Sequence, residues 1–452
     1  MIAAQPLRIT LARHIGLDFG TTNSSLAVVD NNGFSKGSPT VKVAQFATPL
    51  GLTESFRSIL YFPPTVRGAP RPARRAYAGP TAIAKYLEDE HKGRLVQSVK
   101  SFAANRTFTS TVIGGRPYAF ENLVGIIVKE LMTEAEAELG PLGDTVTVGR
   151  PVRFAGADTS EDEAFGIARV TAALHACGLK HVEFEFEPVG AAYFYESTLD
   201  HEEVVLVADF GGGTSDFSLV RVGPRSRVEL TPEQRIIGNA GLPLAGDTFD
   251  AAIVRNLVSP QLGAGTDYRS MEKLLPIPAW IYLNLERWHY ASFLKAPDTM
   301  RLLKSLLTQA VEPDRIAALI HLVEEDLGYQ LHRAVQTTKV ALSSDEKARF
   351  VFQQSDIRID RMVSRASFEN WIARHLDAIG KTVDQLFASC GMSTTEVDRV
   401  FLTGGSAFVP AVREIFAQRF GVGKLIGGSE FTSVAKGLAL RAAKAADRQL
   451  VR

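Results

Sequence analysis

Two short stretches of this chain nearly repeat each other 191 positions apart. Residues 17–29 read Leu-Asp-Phe-Gly-Thr-Thr-Asn-Ser-Ser-Leu-Ala-Val-Val, and residues 208–220 read Ala-Asp-Phe-Gly-Gly-Gly-Thr-Ser-Asp-Phe-Ser-Leu-Val. Each predicts an apolar strand, an aspartate, a glycine turn, a threonine and a second strand. Glycine turns leave backbone amides bare, so such amides can close on phosphate oxygens. Asp18 and Asp209 have the chemistry to hold a hydrated magnesium ion, and the Thr21 and Thr214 hydroxyls to bond phosphate. One such hairpin in each half predicts a duplicated fold that clamps a nucleotide between its halves.

Composition narrows the partners. The 452 residues can build more than one core, and 45% of them are hydrophobic. Lysine plus arginine and aspartate plus glutamate both number 50, so no global field favours nucleic acid or an anionic membrane. No apolar run reaches the ~18–20 residues needed to span a bilayer. Cys177 and Cys390 lack metal or redox spacing, which fits buried thiols in a reducing, cytoplasmic setting. Residues 1–13 contain Arg8 and Arg13 without an apolar core, so they read as a disordered leader rather than a signal peptide.

Along the chain, strands alternate with helices, the pattern of an α/β protein. Asn31-Asn32-Gly33 should turn after the first hairpin, and the Pro- and Arg-rich residues 63–80 should be an exposed loop. Helical periodicity covers 121–139. Thr145–Val148 reads as a strand, and Ser160-Glu161-Asp162-Glu163 as a capping box opening a helix that stops at Gly178. Val182–Phe186 reads as a strand, and Glu187-Pro188 starts a helix with proline at its first position. Gly246–Asp250 opens another helix, ending near Pro260. Residues 271–345 read as mostly helical, with Trp280, Tyr282, Trp288, Tyr290 and Phe293 as core aromatics. Strand Val400–Leu402 leads into Thr403-Gly404-Gly405-Ser406 and a helix from Pro410, and a last helix spans about 433–446.

Several signatures are absent. There is no complete P-loop, no H-E-x-x-H, no paired C-x-x-C and no G-x-S-x-G, so neither a zinc site nor a serine nucleophile is expected. Instead, the order of Asp18-Phe19-Gly20-Thr21-Thr22-Asn23, Glu187-Pro188-Val189-Gly190-Ala191-Ala192, Asp209–Asp216 and Leu402-Thr403-Gly404-Gly405-Ser406 resembles the actin-like ATPase superfamily. Within it, the chain is similar to the nucleotide-binding domain of the DnaK-type 70-kDa heat-shock (Hsp70) chaperones over roughly residues 14–445. Its length and the run Val148-Gly149-Arg150-Pro151-Val152 look most like the YegD-type subgroup. Gly246-Asp247-Thr248-Phe249-Asp250 resembles a further family motif. Lys339 with Leu342-Ser343 resembles the adenosine contact, and Gly404-Gly405-Ser406 the adenosine loop.

The resemblance implies two actin-like lobes with a ribonuclease H-like core. Lobe I would be 14–200 with an insertion at about 46–120, and lobe II 201–452 with one at about 245–377. No peptide-binding domain is expected after the last helix. Implied ligands are ATP or ADP, magnesium, and potassium as an admissible third. Implied catalytic residues are Asp18, Lys100, Glu187, Asp209 and Asp216. Asp18 and Asp209 would hold magnesium through water, Glu187 would orient the attacking water, Lys100 would stabilise transferring charge, and Asp216 would act near that water or a monovalent cation. Gly20, Thr21, Thr22, Asn23, Gly211, Gly212, Gly213 and Thr214 would cradle phosphates. Gly246, Asp247, Gln336, Lys339, Val340, Ser343, Gly404, Gly405, Ser406 and Phe408 would hold the rest of the nucleotide.

The chain departs from the family pattern at the adenosine side. Gln336 stands where glutamate is usual, Val340 where arginine is frequent, Phe408 where arginine commonly stacks on adenine, and Phe431 near a usual aspartate. The expected function is a slow ATPase whose lobe closure is passed to a protein partner, with no nucleic-acid or membrane partner. Three alternatives stay open: a small-molecule kinase, an actin-like filament protein, and a nucleotide-sensing pseudo-ATPase.

Overall fold

The computed structural model describes residues 13–30, 40–48, 51–64, 76–89, 93–196, 198–286, 294–426 and 432–450. The turn at Asn31-Asn32-Gly33, nearly all of the leader, most of the Pro-rich loop, and Trp288, Tyr290, Phe293 and Phe431 lie outside the described residues.

Two sheets share one strand pattern. In the first, Arg13–Asp18 pairs antiparallel with Asn23–Asp30, which pairs antiparallel with Val41–Val43. On its other side Arg13–Asp18 runs parallel to Thr145–Arg150, and that strand runs parallel to His181–Phe186. In the second, Glu203–Phe210, Ser215–Val222 and Ile236–Leu242 form the antiparallel meander. Arg399–Thr403 and then Leu425–Ile426 add in parallel beyond Glu203–Phe210. The outer parallel pair of each sheet is joined through a helix, Ser160–Ala176 in the first and Pro410–Phe420 in the second. Parallel neighbours need such a crossover, whereas the meanders need only turns. This is a mixed α/β fold, consistent with an actin-like ATPase domain.

Period-two alternation explains why both hairpins are apolar throughout. In the first, Leu26 and Val28 join the cluster around the Phe120–Leu139 helix, while Ala27 and Val29 face the last helix, Ser433–Leu450. In the second, Leu206, Ala208, Phe217 and Leu219 face one cluster, and Val205, Val207, Val220 and Val222 the other. The last helix follows the second sheet in sequence yet packs on the first. A Cβ at Gly16 would lie 2.2 Å from the Ala435 carbonyl oxygen, so glycine permits that approach.

Some expectations need correction. The N-cap before Ser160 is Thr159, whose hydroxyl accepts from the Asp162 amide, so the box sits one residue earlier than Ser160. Pro188 is the second residue of the Glu187–Glu196 helix rather than the first. Residues 271–345 do not begin helical: Asp267–Ser270 and Lys273–Pro276 form a hairpin turning at Met271, where φ is 55°. Its short strands carry Leu274 and Leu275 side by side, an apolar pair that period counting merges with the helices beyond. Tyr282 is buried as expected, but Trp280 is 43% exposed. Neither cysteine is fully buried; each lies at intermediate depth, its sulfur against a backbone carbonyl, Gly125 for Cys177 and Ile237 for Cys390.

Candidate functional site

The two glycine turns face each other across a cleft of about 1060 Å³. The register that makes each hairpin also aims its aspartate. Asp18 pairs with Ser25 and Asp209 with Asp216 at the turn end of their strands. How close the turns come is shown at Gly212, where a Cβ would sit 2.0 Å from the Thr22 hydroxyl oxygen of the opposite turn. The Gly211 and Gly212 carbonyls accept from the Gly246 and Asp247 amides, which fixes the second turn against the start of the Gly246–Ile253 helix.

Lys100 enters from a 3₁₀ turn, Val99–Phe102, rather than from an α-helix. Ser98 before it holds a left-handed φ of 55°, a conformation uncommon for a non-glycine residue, and it also lines the cleft. The Lys100 ammonium donates to Glu187 Oε1 at 2.5 Å, with both side chains nearly buried. Asp209 accepts from the Thr403 hydroxyl at 2.5 Å, across the parallel strand pair. On the far side Lys339 pairs with Asp250 at 2.7 Å and donates to the Gly246 carbonyl.

Charge is unbalanced here. Burial, Glu187 and Asp209 together push the Asp18 carboxyl well above the usual carboxylate range, against a smaller opposing pull from Lys100. Burial and Glu187 raise Asp209 to about 6, although the Thr403 hydrogen bond and Lys100 pull it down. Asp216 is also raised well above its ordinary value, by burial, Glu187 and Asp209. Burial works against the Lys100 charge, but Glu187 and Asp18 more than offset it and hold the ammonium protonated. Four carboxylates thus gather around one ammonium, a donor set that lacks positive charge.

The cleft wall contains Asp18, Gly20, Thr21, Thr22, Asn23, Lys100, Glu187, Asp209, Gly211, Gly212, Gly213, Thr214, Gly246 and Asp247. It also contains Gln336, Lys339, Val340, Ser343, Gly404, Gly405, Ser406 and Phe408. Asp216 differs from these sequence-nominated residues: it is buried behind Thr214, whose hydroxyl donates to it at 2.9 Å. Gln336, Lys339, Val340 and Ser343 share one face of the Gly328–Ser344 helix through their three- and four-residue spacing.

Sequence reasoning did not nominate Arg57, Ser98, Thr403, Asp250, Arg255, Arg374 or His375. Thr403 and Asp250 lay inside residues read as motifs, and Ser98 lay two residues before Lys100, but none of the three had an assigned role. The others carry no local signal and reach the site only through tertiary packing.

The Hsp70 protein family model matches residues 319–448. Chaperone protein DnaK of Deinococcus deserti is 26% identical over 415 residues, covering 90% of this chain and 55% of the relative. DnaK proteins of Deinococcus proteolyticus and Deinococcus radiodurans are each 25% identical, over 420 and 418 residues, with the same coverage. At family level this chain is similar to the nucleotide-binding domain of Hsp70/DnaK proteins. It spans about 55% of the length of these curated relatives. The similarity reaches beyond the residues matched by the family model, since each DnaK alignment covers 90% of this chain. Among the described residues of the Hsp70-like chain, no three histidine, cysteine, aspartate or glutamate side chains converge to hold a metal directly. No described helix is long and apolar enough to cross a membrane.

Proposed function

We propose that this chain binds ATP and ADP in the cleft and hydrolyses ATP slowly, passing closure and opening of two duplicated lobes to a protein partner. The observation that carries the reading is the buried Lys100–Glu187 pair set among Asp18 and Asp209 at the meeting of the two glycine turns. The shared strand order of the two sheets supports duplication, with lobe boundaries near residue 200.

The surplus of carboxylate over ammonium fits a cation. Asp18 and Asp209 would hold hydrated magnesium, which when bound supplies positive charge against the β- and γ-phosphates. Every other role belongs to the chain. Amides of Gly20–Thr22 and Gly211–Thr214 bind phosphate oxygens, and Thr21 and Thr214 donate hydroxyls, the Thr214 proton turning from Asp216 to phosphate when nucleotide binds. Glu187 accepts a hydrogen bond from the attacking water and so orients it. Lys100, kept protonated, stabilises charge on the transferring phosphoryl group. Asp216 is a positioning residue, setting the Thr214 hydroxyl. No potassium is assigned a step, because Asp216 lies behind Thr214.

Turnover is tested by phosphate release from magnesium ATP, comparing the natural chain with Asp209→Asn and Lys100→Ala. Slow release lost in both variants supports the reading. A second reading, a nucleotide sensor without turnover, is favoured by the neutral Val340 and Phe408 at the base-binding end; calorimetric ATP binding with no phosphate release would select it.

A further inference from the structure

The cleft does not end at Val340 and Phe408. Its wall continues to Ser344 at the end of the Gly328–Ser344 helix, to Arg374 and His375 within the Arg365–Cys390 helix, and to Arg255 in the π-turn Val254–Val258. Three segments distant in sequence therefore line this part of the cleft. π-Turns interrupt a regular helix at a cost and concentrate at functional positions.

The charges on this rim are unequal. Arg255 is neutralised by Glu286, which it grips with two hydrogen bonds of 2.7 and 2.6 Å. Arg374 has no carboxylate partner among the described residues; its Nε donates to His375 Nε2 at 3.3 Å. That contact makes Nε2 the acceptor, so a neutral His375 carries its proton on Nδ1 as a second donor. Burial first, then Arg374 and Arg255, hold the imidazole below its usual range and therefore neutral. A guanidinium and an N–H thus stand side by side on a wall that continues from the nucleotide-binding region. Guanidinium forks suit phosphate oxygens, and charge-assisted hydrogen bonds are the strong ones.

We propose that Arg374 and His375 form an anion subsite that takes a phosphate group, either free or carried on the ribose of a cleft-bound nucleotide. The nucleotide-borne form rests on the function proposed above; the free form does not. At about 1060 Å³ the cleft lies at the upper end of small-molecule sites, about 300–1,000 Å³, and leaves space for such a group.

The test follows the His375 imidazole by NMR while inorganic phosphate, ATP, or adenosine 3′-phosphate 5′-triphosphate is added to the full chain. Calorimetry measures the affinity of the two nucleotides in parallel. The expected result is that a phosphate-bearing probe moves the His375 titration to higher pH in the natural chain but not in Arg374→Ala. A shift with inorganic phosphate identifies the free source. A shift only with the ribose-phosphorylated nucleotide, bound roughly tenfold more tightly than ATP, identifies the nucleotide source. Arg374→Ala should remove that advantage and leave ATP affinity unchanged, since Arg374 lies outside the proposed ATP contacts. No movement of His375 with any probe, or an advantage that survives Arg374→Ala, overturns the subsite. Failure of ATP itself to bind, with a His375 response to inorganic phosphate intact, would count against the nucleotide reading and not against the subsite.

Discussion

The two ends of the cleft are built by opposite means. At one end Asp18, Asp209, Glu187 and Lys100 crowd into a nearly buried, charge-dense cluster held by strand register and a strained turn. At the other, Val340 and Phe408 are 66% and 43% exposed, neutral and apolar, on a helix face and a 3₁₀ turn. Chemistry on phosphate needs charges fixed in place before reaction, because reorganising them would add to the barrier. Gripping a flat ring needs only surface, which tolerates substitution. The acidic end should therefore be sensitive to single atoms and the apolar end to area.

The largest effect should come from the acidic end. Asp209→Asn, nearly the same shape with the charge removed, should lower phosphate release by at least about 100-fold while nucleotide binding persists. Lys100→Ala should lower turnover by a comparable or slightly smaller factor, and would also leave Glu187 without its ammonium, as Glu187→Gln in parallel would show. A loss confined to KM in either variant would make this end a binding site only.

An intermediate effect is expected where the two turns meet. Gly212→Ala places a methyl group 2.0 Å from the Thr22 oxygen, so one turn must move. ATP affinity should fall roughly tenfold, and combining it with Thr22→Gly should restore part of the loss. Phe408→Ala should act more mildly, weakening ATP by about 1–2 kcal/mol with kcat unchanged and tripolyphosphate binding untouched. An equal loss for tripolyphosphate would erase the proposed contrast between the ends.

The smallest effect lies outside the cleft and serves as its control. Hydrogen bonds from Arg106 and Thr159 hold the half-buried Asp162 carboxyl down at about 2, against an ordinary value of 3.8. Because the folded value is depressed, its contribution to stability is present above about pH 4 and is lost as pH falls toward 2. The difference in melting temperature between the natural chain and Asp162→Asn should shrink over that window, with no change in turnover at neutral pH.

The same contrast governs what the sequence could reveal. The acidic end was legible because its geometry is local: strand, aspartate, glycine turn and strand are written in a dozen contiguous residues. Leu402–Ser406 was legible for the same reason. Register then places Thr403 beside Asp209, a contact visible only once Arg399–Thr403 is known to run parallel to Glu203–Phe210. Asp216 was nominated from its place in the motif, but alternation along the strand buries it behind Thr214. Arg374 and His375 sit in an amphipathic helix with nothing in their spacing to mark them, and only the packing of that helix brings them to the cleft. The hairpin at 267–276 was missed because four-residue strands carrying adjacent leucines give no period to count.

The most direct test of the account is a single-turnover measurement of phosphate release from magnesium ATP, with Asp209→Asn alongside. The account predicts slow release from the natural chain, and none above background from the variant while it still binds ATP. Equal release from both, or ATP binding that gives no release from the natural chain over many hours, would contradict a hydrolytic cluster at the meeting of the two turns.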